Sequence, residues 1–147
     1  MYTVILVDDE PIVLDTLANY VPWEDMSIRV LATAKNGREA LEQVTASQPD
    51  ILIPDIKMPM SDGIELARLV HERFPEIQIV FLSGYNEFSY ARSALHIGVS
   101  AYLLKPVDHE ELADTMRDVC RRSEEAKNRK NSSLPVAGEY LRELLQV

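Results

Sequence analysis

The sequence predicts an α/β protein with a doubly wound, five-stranded parallel sheet and five flanking helices. Short apolar runs rich in β-branched residues alternate five times with stretches whose apolar residues recur at helical spacing, in units of roughly 20–25 residues. The connections between these units are short. The strands are therefore expected to lie parallel, with right-handed crossovers that put helices on both faces of the sheet.

The first two units begin with strands at residues 3–7 and 28–34. The first run is uniformly apolar and β-branched, which is typical of a strand buried on both faces of a parallel sheet. Pro11 suits the first turn of the helix that follows, and Pro22 ends that helix. Arg29 indicates that the second strand lies nearer an edge of the sheet.

The later units are delimited by prolines and turn residues. A second helix follows the Asn36-Gly37 turn and ends at Pro49, and a third strand at residues 51–53 stops at Asp55. The remaining predicted elements are a third helix that starts at Ser61 or Asp62 and ends at Pro75, a strand at residues 77–82, a fourth helix from Asn86 or Glu87 to Leu95, a strand at residues 99–104, and a fifth helix capped by Asp108.

The bulk composition is that of one globular domain. A chain of 147 residues with 46% hydrophobic and 27% charged residues fits a single domain with some tail. No apolar run approaches the roughly 18 residues of a membrane span, and no signal peptide is visible. Cys120 is the only cysteine, so neither an internal disulfide nor a thiolate metal site is expected. The expected location is the cytoplasm.

The charge is negative and uneven along the chain. Residues 1–116 carry 8 Lys/Arg and 19 Asp/Glu, a net charge of −11, whereas residues 117–147 carry 7 Lys/Arg and 5 Asp/Glu, a net charge of +2. Nucleic-acid affinity depends largely on basic side chains that neutralise phosphates. The N-terminal part is therefore a poor candidate for binding DNA or RNA.

Five polar residues stand where predicted strands end: Asp8, Asp9, Asp55, Ser83 and Lys105. Because the C-terminal ends of parallel strands meet at one edge of a sheet, these side chains are expected to converge there. Three carboxylates repel one another, and Lys105 supplies one compensating charge. Oxygen ligands of this kind suit Mg²⁺. A carboxylate beside such an ion, with an ammonium and a hydroxyl nearby, describes a site that stabilises a transferred phosphoryl group.

The same residues occur in the order of a known family. The motifs are the acidic pair Asp8-Asp9, the segment Asp55-Ile-Lys-Met-Pro-Met-Ser-Asp-Gly63, Ser83-Gly84, Tyr102 and Lys105-Pro106. With this set, residues 1–122 resemble the receiver domain of two-component response regulators. The resemblance implies a flavodoxin-like, CheY-like sheet with strand order 2-1-3-4-5.

The resemblance also implies a role for each residue of the site. Asp55 would be the phosphoacceptor, taking a phosphoryl group from the phosphohistidine of a histidine kinase. Asp9, Asp55 and the backbone carbonyl of Lys57 would ligate Mg²⁺ directly, and Asp8 would act largely through water. Lys105 would pair with Asp55 and then with the phosphoryl oxygens. The kinase would meet the exposed part of the first helix.

Two further residues would form a switch. Ser83 would hydrogen-bond a phosphoryl oxygen and move toward it, and Tyr102 would turn inward into the vacated space. The change would alter the surface formed by the fourth helix, the fifth strand and the fifth helix. That surface and the C-terminal helix are the candidate contacts of a homodimer. The Lys105–Pro106 peptide bond is expected to be cis.

Residues 123–147 are predicted to be a helical extension and linker toward a missing C-terminal output region. Residues 123–133 are polar and charged, and residues 134–147 are amphipathic but too few to form a core. Three segments resemble receivers fused to AraC-type DNA-binding regions: Pro22-Trp23-Glu24, Leu82-Ser-Gly-Tyr85 and Tyr140-Leu-Arg-Glu-Leu-Leu145. DNA would then be bound through a region absent from this chain. The alternative is a stand-alone receiver with a helical appendage.

Two other functions stay open. One is a pseudo-receiver that binds partners without taking phosphate, and Pro54 is the feature that favours it, because a proline removes a backbone donor from a central strand. Either Asp55 lies at a fraying strand end that tolerates this loss, or Asp55 is displaced. The other is an enzyme or flavin carrier on the same fold. No Gly-rich phosphate loop follows the first strand, so a turnover enzyme is not expected.

Overall fold

The computed structural model describes residues 1–58, 61–84 and 96–133. The elements in chain order are β1 (Tyr2–Val7), α1 (Pro11–Tyr20), a 3-10 helix (Trp23–Met26), β2 (Ile28–Ala34), α2 (Gly37–Ser47), β3 (Ile51–Pro54), β4 (Lys57–Met58), β5 (Ser61–Asp62), α3 (Gly63–Arg73), β6 (Gln78–Ser83), β7 (Ala101–Leu104) and α4 (His109–Ser133). Five of the strands form one parallel sheet in the order β2-β1-β3-β6-β7. The two-residue strands β4 and β5 form a separate antiparallel pair.

The predicted fold class is confirmed. The five parallel strands, counted along the chain, lie in the order 2-1-3-4-5, and β2 is an edge strand as Arg29 indicated. The described ranges contain four α-helices, and the predicted fourth helix, ending at Leu95, lies outside them. The third helix starts at Gly63, slightly later than predicted, because residues 61–62 form β5.

The core consists of two apolar layers, one on each face of the sheet. Successive residues of a strand point to opposite faces, so β1 contributes Ile5 and Val7 to one layer and Val4 and Leu6 to the other. The first layer packs against α2 and α3, and the second against α1 and α4. Both faces of the central strands are therefore buried, as their uniformly apolar sequences predicted.

Helix α4 continues past residue 122, the predicted end of the domain. Asp108 caps its first turn, because the Asp108 Oδ2 atom accepts a hydrogen bond from the Glu111 N–H group at 3.3 Å. Apolar side chains of the helix, Leu112 and Met116 among them, are buried against the sheet. Beyond residue 122, Ser123 is still buried, with 1% of its surface exposed. Across the described ranges, no helix is both long and apolar enough to cross a membrane.

Candidate functional site

The ends of four adjacent strands bring the predicted site residues to one edge of the sheet. Asp8 follows β1, Asp55 follows β3, Ser83 ends β6, and Lys105 follows β7. Carboxylate oxygens of Asp8, Asp9 and Asp55 all lie within 4.8 Å of one another. Asp8 and Asp55 are buried, with 1% and 5% of their surfaces exposed. The convergence that the sequence predicted is therefore present.

The sheet itself holds these residues in place. The Asp8 N–H group donates to the Ala34 carbonyl at 3.1 Å, and the Asp55 N–H group donates to the Val7 carbonyl at 2.8 Å. The Lys105 N–H group donates to the Ser83 carbonyl at 2.8 Å. Each of these residues thus continues the hydrogen bonding of its strand by one position. Its backbone is therefore held by the same kind of bonds that hold the sheet together.

One ammonium group lies between two of the carboxylates. The Lys105 Nζ atom is 2.8 Å from Asp8 Oδ2 and 3.4 Å from Asp55 Oδ1. Partial burial has the largest effect on the pKa of Lys105 and would lower it. The hydrogen bond to Asp8 and the charges of Asp55 and Asp8 together outweigh burial and raise the pKa above its usual value. Lys105 is therefore positively charged at neutral pH.

Three carboxylates and one ammonium leave two negative charges at this edge. Like charges about 4 Å apart repel by about 4 kcal/mol at an effective dielectric constant near 20. A divalent cation would cancel the excess, and a set of carboxylate oxygens is the ligand type that Mg²⁺ prefers. The donor set therefore fits Mg²⁺. Lys57, a predicted backbone ligand, lies in β4 two residues after Asp55, and its role stays a prediction.

The two predicted switch residues are in contact. Ser83 is fully buried, and its hydroxyl forms a hydrogen bond with the Tyr102 hydroxyl and another with the Gly84 carbonyl, at 3.0 Å for the latter. Tyr102 is half-buried and packs against the core layer that contains Phe81. Ser83 and Tyr102 thus link neighbouring strands β6 and β7 at the edge that carries the acidic cluster. The Lys105–Pro106 peptide bond is cis, as expected.

Gly63, whose structural role was not predicted, lies directly beneath Asp55 and Ile56 at the end of β3. Its N–H group donates to the Ile56 carbonyl at 2.8 Å, so the start of α3 lies directly against the end of β3. A Cβ atom at this position would overlap the Asp55 carbonyl oxygen and would lie 2.8 Å from the Ile56 carbonyl oxygen. Glycine is required here by the close approach of two backbones. The Asp62-Gly63 pair marks a helix start in the sequence, but it does not show how closely the two backbones approach.

Pro54 interrupts the pairing of β3 with β6 without shifting its register. Leu52 pairs with Ile79 before the proline, and Asp55 pairs with Leu82 after it, at the same offset. The strand end therefore accommodates the proline. The alternative, in which the proline displaces Asp55, does not agree with this register.

Replacing Pro54 with threonine should change little. Since the Ile56 N–H group donates to the Leu82 carbonyl, the two-residue repeat of the strand directs the nitrogen of residue 54 at the Val80 carbonyl. A threonine N–H group adds a hydrogen bond there, worth about 1 kcal/mol. The more flexible unfolded chain offsets about 0.4–1 kcal/mol of this gain. We expect the free energy of unfolding in urea to stay within about 1 kcal/mol of wild type.

On the prediction that Asp55 accepts phosphate, Pro54→Thr should react with acetyl phosphate at the wild-type rate, within about twofold, because Asp55 keeps its position in the register. A clearly faster reaction of Pro54→Thr would show that the proline displaces Asp55 after all.

Comparison with known proteins identifies the family of this chain. Residues 4–117 match the response regulator receiver domain family. Among curated relatives, the uncharacterized transcriptional regulatory protein YesN of Bacillus subtilis is 40% identical over 119 residues, which are 81% of this chain and 32% of that protein. The transcriptional regulatory protein HptR of Staphylococcus aureus is 33% identical over 147 residues, all of this chain and 58% of that protein.

A solved structure shows the same fold. The two component transcriptional regulator AraC from Clostridium phytofermentans superposes with a TM-score of 0.79 at 26% identity, covering 86% of this chain and 98% of the solved chain. The chain thus spans about a third to three fifths of the length of the two curated relatives. On the match over residues 4–117, this chain belongs to the response regulator receiver domain family.

Proposed function

We propose that this receiver domain accepts a phosphoryl group on Asp55 from the phosphohistidine of a histidine kinase, with Mg²⁺ as cofactor. The observation that supports this most is the grouping of Asp8, Asp9, Asp55 and Lys105 at one edge of the sheet. Grouping like charges in a buried place opposes folding, and functional sites are where such arrangements concentrate. A site of this kind suits a cation and then a phosphoryl group.

In the proposed reaction, a carboxylate oxygen of Asp55 attacks the phosphorus atom of the donor. The new phosphorus–oxygen bond forms while the bond from phosphorus to the imidazole nitrogen breaks, and the imidazole leaves with the electron pair and gains a proton. Asp9, Asp55 and the Lys57 carbonyl would hold Mg²⁺, with Asp8 acting largely through water. Bound there, the ion offsets charge on the phosphoryl oxygens. Lys105, positioned by Asp8, binds a phosphoryl oxygen.

Ser83 and Tyr102 would respond to the phosphate. An aspartyl phosphate adds about −1.5 to −2 charge and strong acceptor oxygens beside Asp55. The Ser83 hydroxyl, now bonded to Tyr102, would turn to a phosphoryl oxygen, and Tyr102 would move inward. The surface that changes includes β7 and α4, where we place the contact of a homodimer, with the C-terminal helix as the second candidate.

We further propose that the receiver controls a transcriptional output of the AraC type within a longer protein. The curated relatives YesN and HptR are both named transcriptional regulatory proteins, and this chain spans only part of each. The similar structure from Clostridium phytofermentans is titled a transcriptional regulator AraC. DNA contacts would belong to the output region and not to the acidic receiver, and the proposed location is the cytoplasm.

The test is to incubate the 147-residue chain with Mg²⁺ and acetyl phosphate and to measure its intact mass. We expect the mass of one phosphoryl group to be added to wild type and not to Asp55→Asn. Asp114→Asn, which changes an exposed aspartate of α4, should accept the group like wild type. Omitting Mg²⁺ should slow the reaction at least about tenfold.

Two outcomes would contradict the proposal. A wild-type chain that gains no mass under these conditions would be a pseudo-receiver. Steady release of phosphate from unrelated phosphoesters, with no adduct on Asp55, would mark the site as that of a hydrolytic enzyme.

A further inference from the structure

The edge of the sheet opposite the acidic cluster holds a second group of polar contacts. Tyr2 begins β1 there, and Asp50 directly precedes β3. The part of α4 beyond residue 122 reaches this edge, where Ser123 and Ala126 are buried. The sequence predicted a polar helical extension and linker here, so burial of two small residues in this stretch needs a structural reason.

Contacts from α4 converge on Tyr2 and Asp50. The Tyr2 hydroxyl donates to Glu124 Oε1 at 2.9 Å, and Lys127 Nζ lies 2.7 Å from Asp50 Oδ1. Lys127 Nζ also lies 5.2 Å from the centroid of the Tyr2 ring, within the range of a cation–π interaction. We call Tyr2, Asp50, Glu124 and Lys127 the helix anchor.

The sheet side of the helix anchor is rigid. The Asp50 Oδ2 atom accepts hydrogen bonds from the N–H group and the hydroxyl of Thr3, at 2.8 and 3.1 Å. The Asp50 carbonyl accepts from the Gln78 N–H group at 2.9 Å. Asp50 thus ties β1, β3 and β6 together before it meets Lys127. Because these hydrogen bonds hold the Asp50 carboxylate in one position, its ion pair with Lys127 fixes where the Lys127 ammonium lies.

The sheet side also offers the helix a donor, the Tyr2 hydroxyl, that persists over the physiological pH range. The pKa of Tyr2 is raised to about 12. Burial is the largest cause, and the hydrogen bond to Glu124 and the negative charge of Glu124 add to it. The phenol therefore keeps its proton and continues to donate to Glu124 at any ordinary pH.

We propose that the helix anchor makes residues 123–127 part of the folded body of the receiver and fixes the direction in which α4 carries the chain away from it. α4 has 25 residues, and a helix of that length spans roughly 37 Å. It begins three residues after Pro106 of the functional site and reaches the helix anchor on the opposite edge. A region joined to α4 is then held at a set orientation to the functional site.

A rival explanation is that ion pairs within α4 alone keep the helix straight and so determine its direction. Arg121 pairs with Asp118 and with Glu125, and Arg122 pairs with Asp118, all within the helix. Such exposed pairs stabilise a helix by a few tenths of a kcal/mol each. The pairs themselves do not connect the helix to the sheet, although Arg122 also donates to the Ser100 carbonyl, just before β7, at 3.2 Å. The rival therefore predicts that removing the helix anchor leaves the direction of α4 unchanged.

Distances between two spin labels in the 147-residue chain distinguish these explanations. The labels are attached at Arg38→Cys, exposed in the first turn of α2, and at Asn128→Cys, exposed just beyond the helix anchor, in a Cys120→Ala background. We expect one narrow distance distribution. The double variant Tyr2→Phe with Lys127→Met should broaden it at least twofold, because it removes the hydrogen bond, the ion pair and the cation–π interaction.

The matched control is Arg117→Met, which removes an exposed pair with Asp114 on the same helix. The control should leave the distribution narrow. Amide hydrogen exchange over residues 123–129 gives an independent measurement and should quicken at least about fivefold in the double variant and not in the control. If the double variant does not fold, Tyr2→Phe and Lys127→Met are measured singly.

A distribution that is broad in wild type would overturn the proposal. A distance distribution that stays equally narrow in the double variant would also overturn it. The same holds if the distribution broadens as much in the Arg117→Met control as in the double variant. None of these readouts requires phosphorylation, so failure of the helix anchor and failure of Asp55 as phosphoacceptor are separate results.

Discussion

Gly63→Ala should destabilise the domain more than any other single change described for this chain. The added Cβ atom would overlap the Asp55 carbonyl oxygen and crowd the Ile56 backbone, and backbone atoms cannot move aside as a flexible side chain can. Overpacking of this kind costs about 3 kcal/mol, which lowers the melting temperature by about 10 °C in a domain of this size. Thermal unfolding followed by circular dichroism measures the change.

The control for this variant is Gly84→Ala. Gly84 also lies at the functional edge, but among the described residues, its chain neighbours aside, a Cβ atom there would meet nothing within 4 Å. We expect its melting temperature to fall by about 2 °C or less. Equal losses in the two variants would mean that the approach of α3 to the end of β3 is not what matters at Gly63.

The second large effect is expected from Lys105→Met. The substitution keeps most of the side-chain volume but leaves the buried carboxylates of Asp8 and Asp55 without the ammonium that lies between them. Removing one partner of a fully buried pair costs about 3–5 kcal/mol. Because 23% of the Lys105 side chain is exposed, we expect a smaller loss of about 2 kcal/mol in the free energy of unfolding.

The pH dependence of this loss follows from the raised pKa of Lys105. A raised folded-state pKa means that the stabilisation is complete below the usual lysine value of 10.5 and disappears as the pH rises through the folded-state value. The difference between wild type and Lys105→Met should therefore stay constant from about pH 6 to pH 9. Urea titrations at several pH values measure it.

Lys35→Met is the control for this variant, because Lys35 is an exposed lysine whose pair with Glu39 lies within 4.0 Å. It should cost less than about 0.5 kcal/mol. Mg²⁺ should recover part of the stability of Lys105→Met, since a bound cation replaces the missing positive charge. Loss of stability equal to that of Lys35→Met would show that Lys105 does not compensate the carboxylates.

The sequence was most informative where backbone direction alone decides position. Asp8, Asp55, Ser83 and Lys105 each end or follow a strand, and parallel strands end at the same edge, so their convergence required no knowledge of side-chain packing. The order of the strands came from the resemblance to the receiver family and not from the pattern of apolar residues.

The features that were missed depend on contacts between distant segments. Gly63 matters because a helix start meets a strand end, and nothing in its local sequence measures that approach. Glu124 and Lys127 stand in a charged stretch that was predicted to be a helical extension and linker, yet their partners are Tyr2 and Asp50, far away in the chain. Only the path of α4 across the sheet brings them together.

The residues of the functional site come from four strands, and this has a consequence for how the site can fail. Asp8 and Asp55 are held by hydrogen bonds to Ala34 and Val7, in neighbouring strands, so neither can be released by the opening of one loop. Displacing these two carboxylates therefore requires the sheet itself to open. A destabilising change would lower the fraction of folded, competent molecules in a population without producing molecules of intermediate competence. To a signalling partner, its effect would equal that of a lower concentration of this protein.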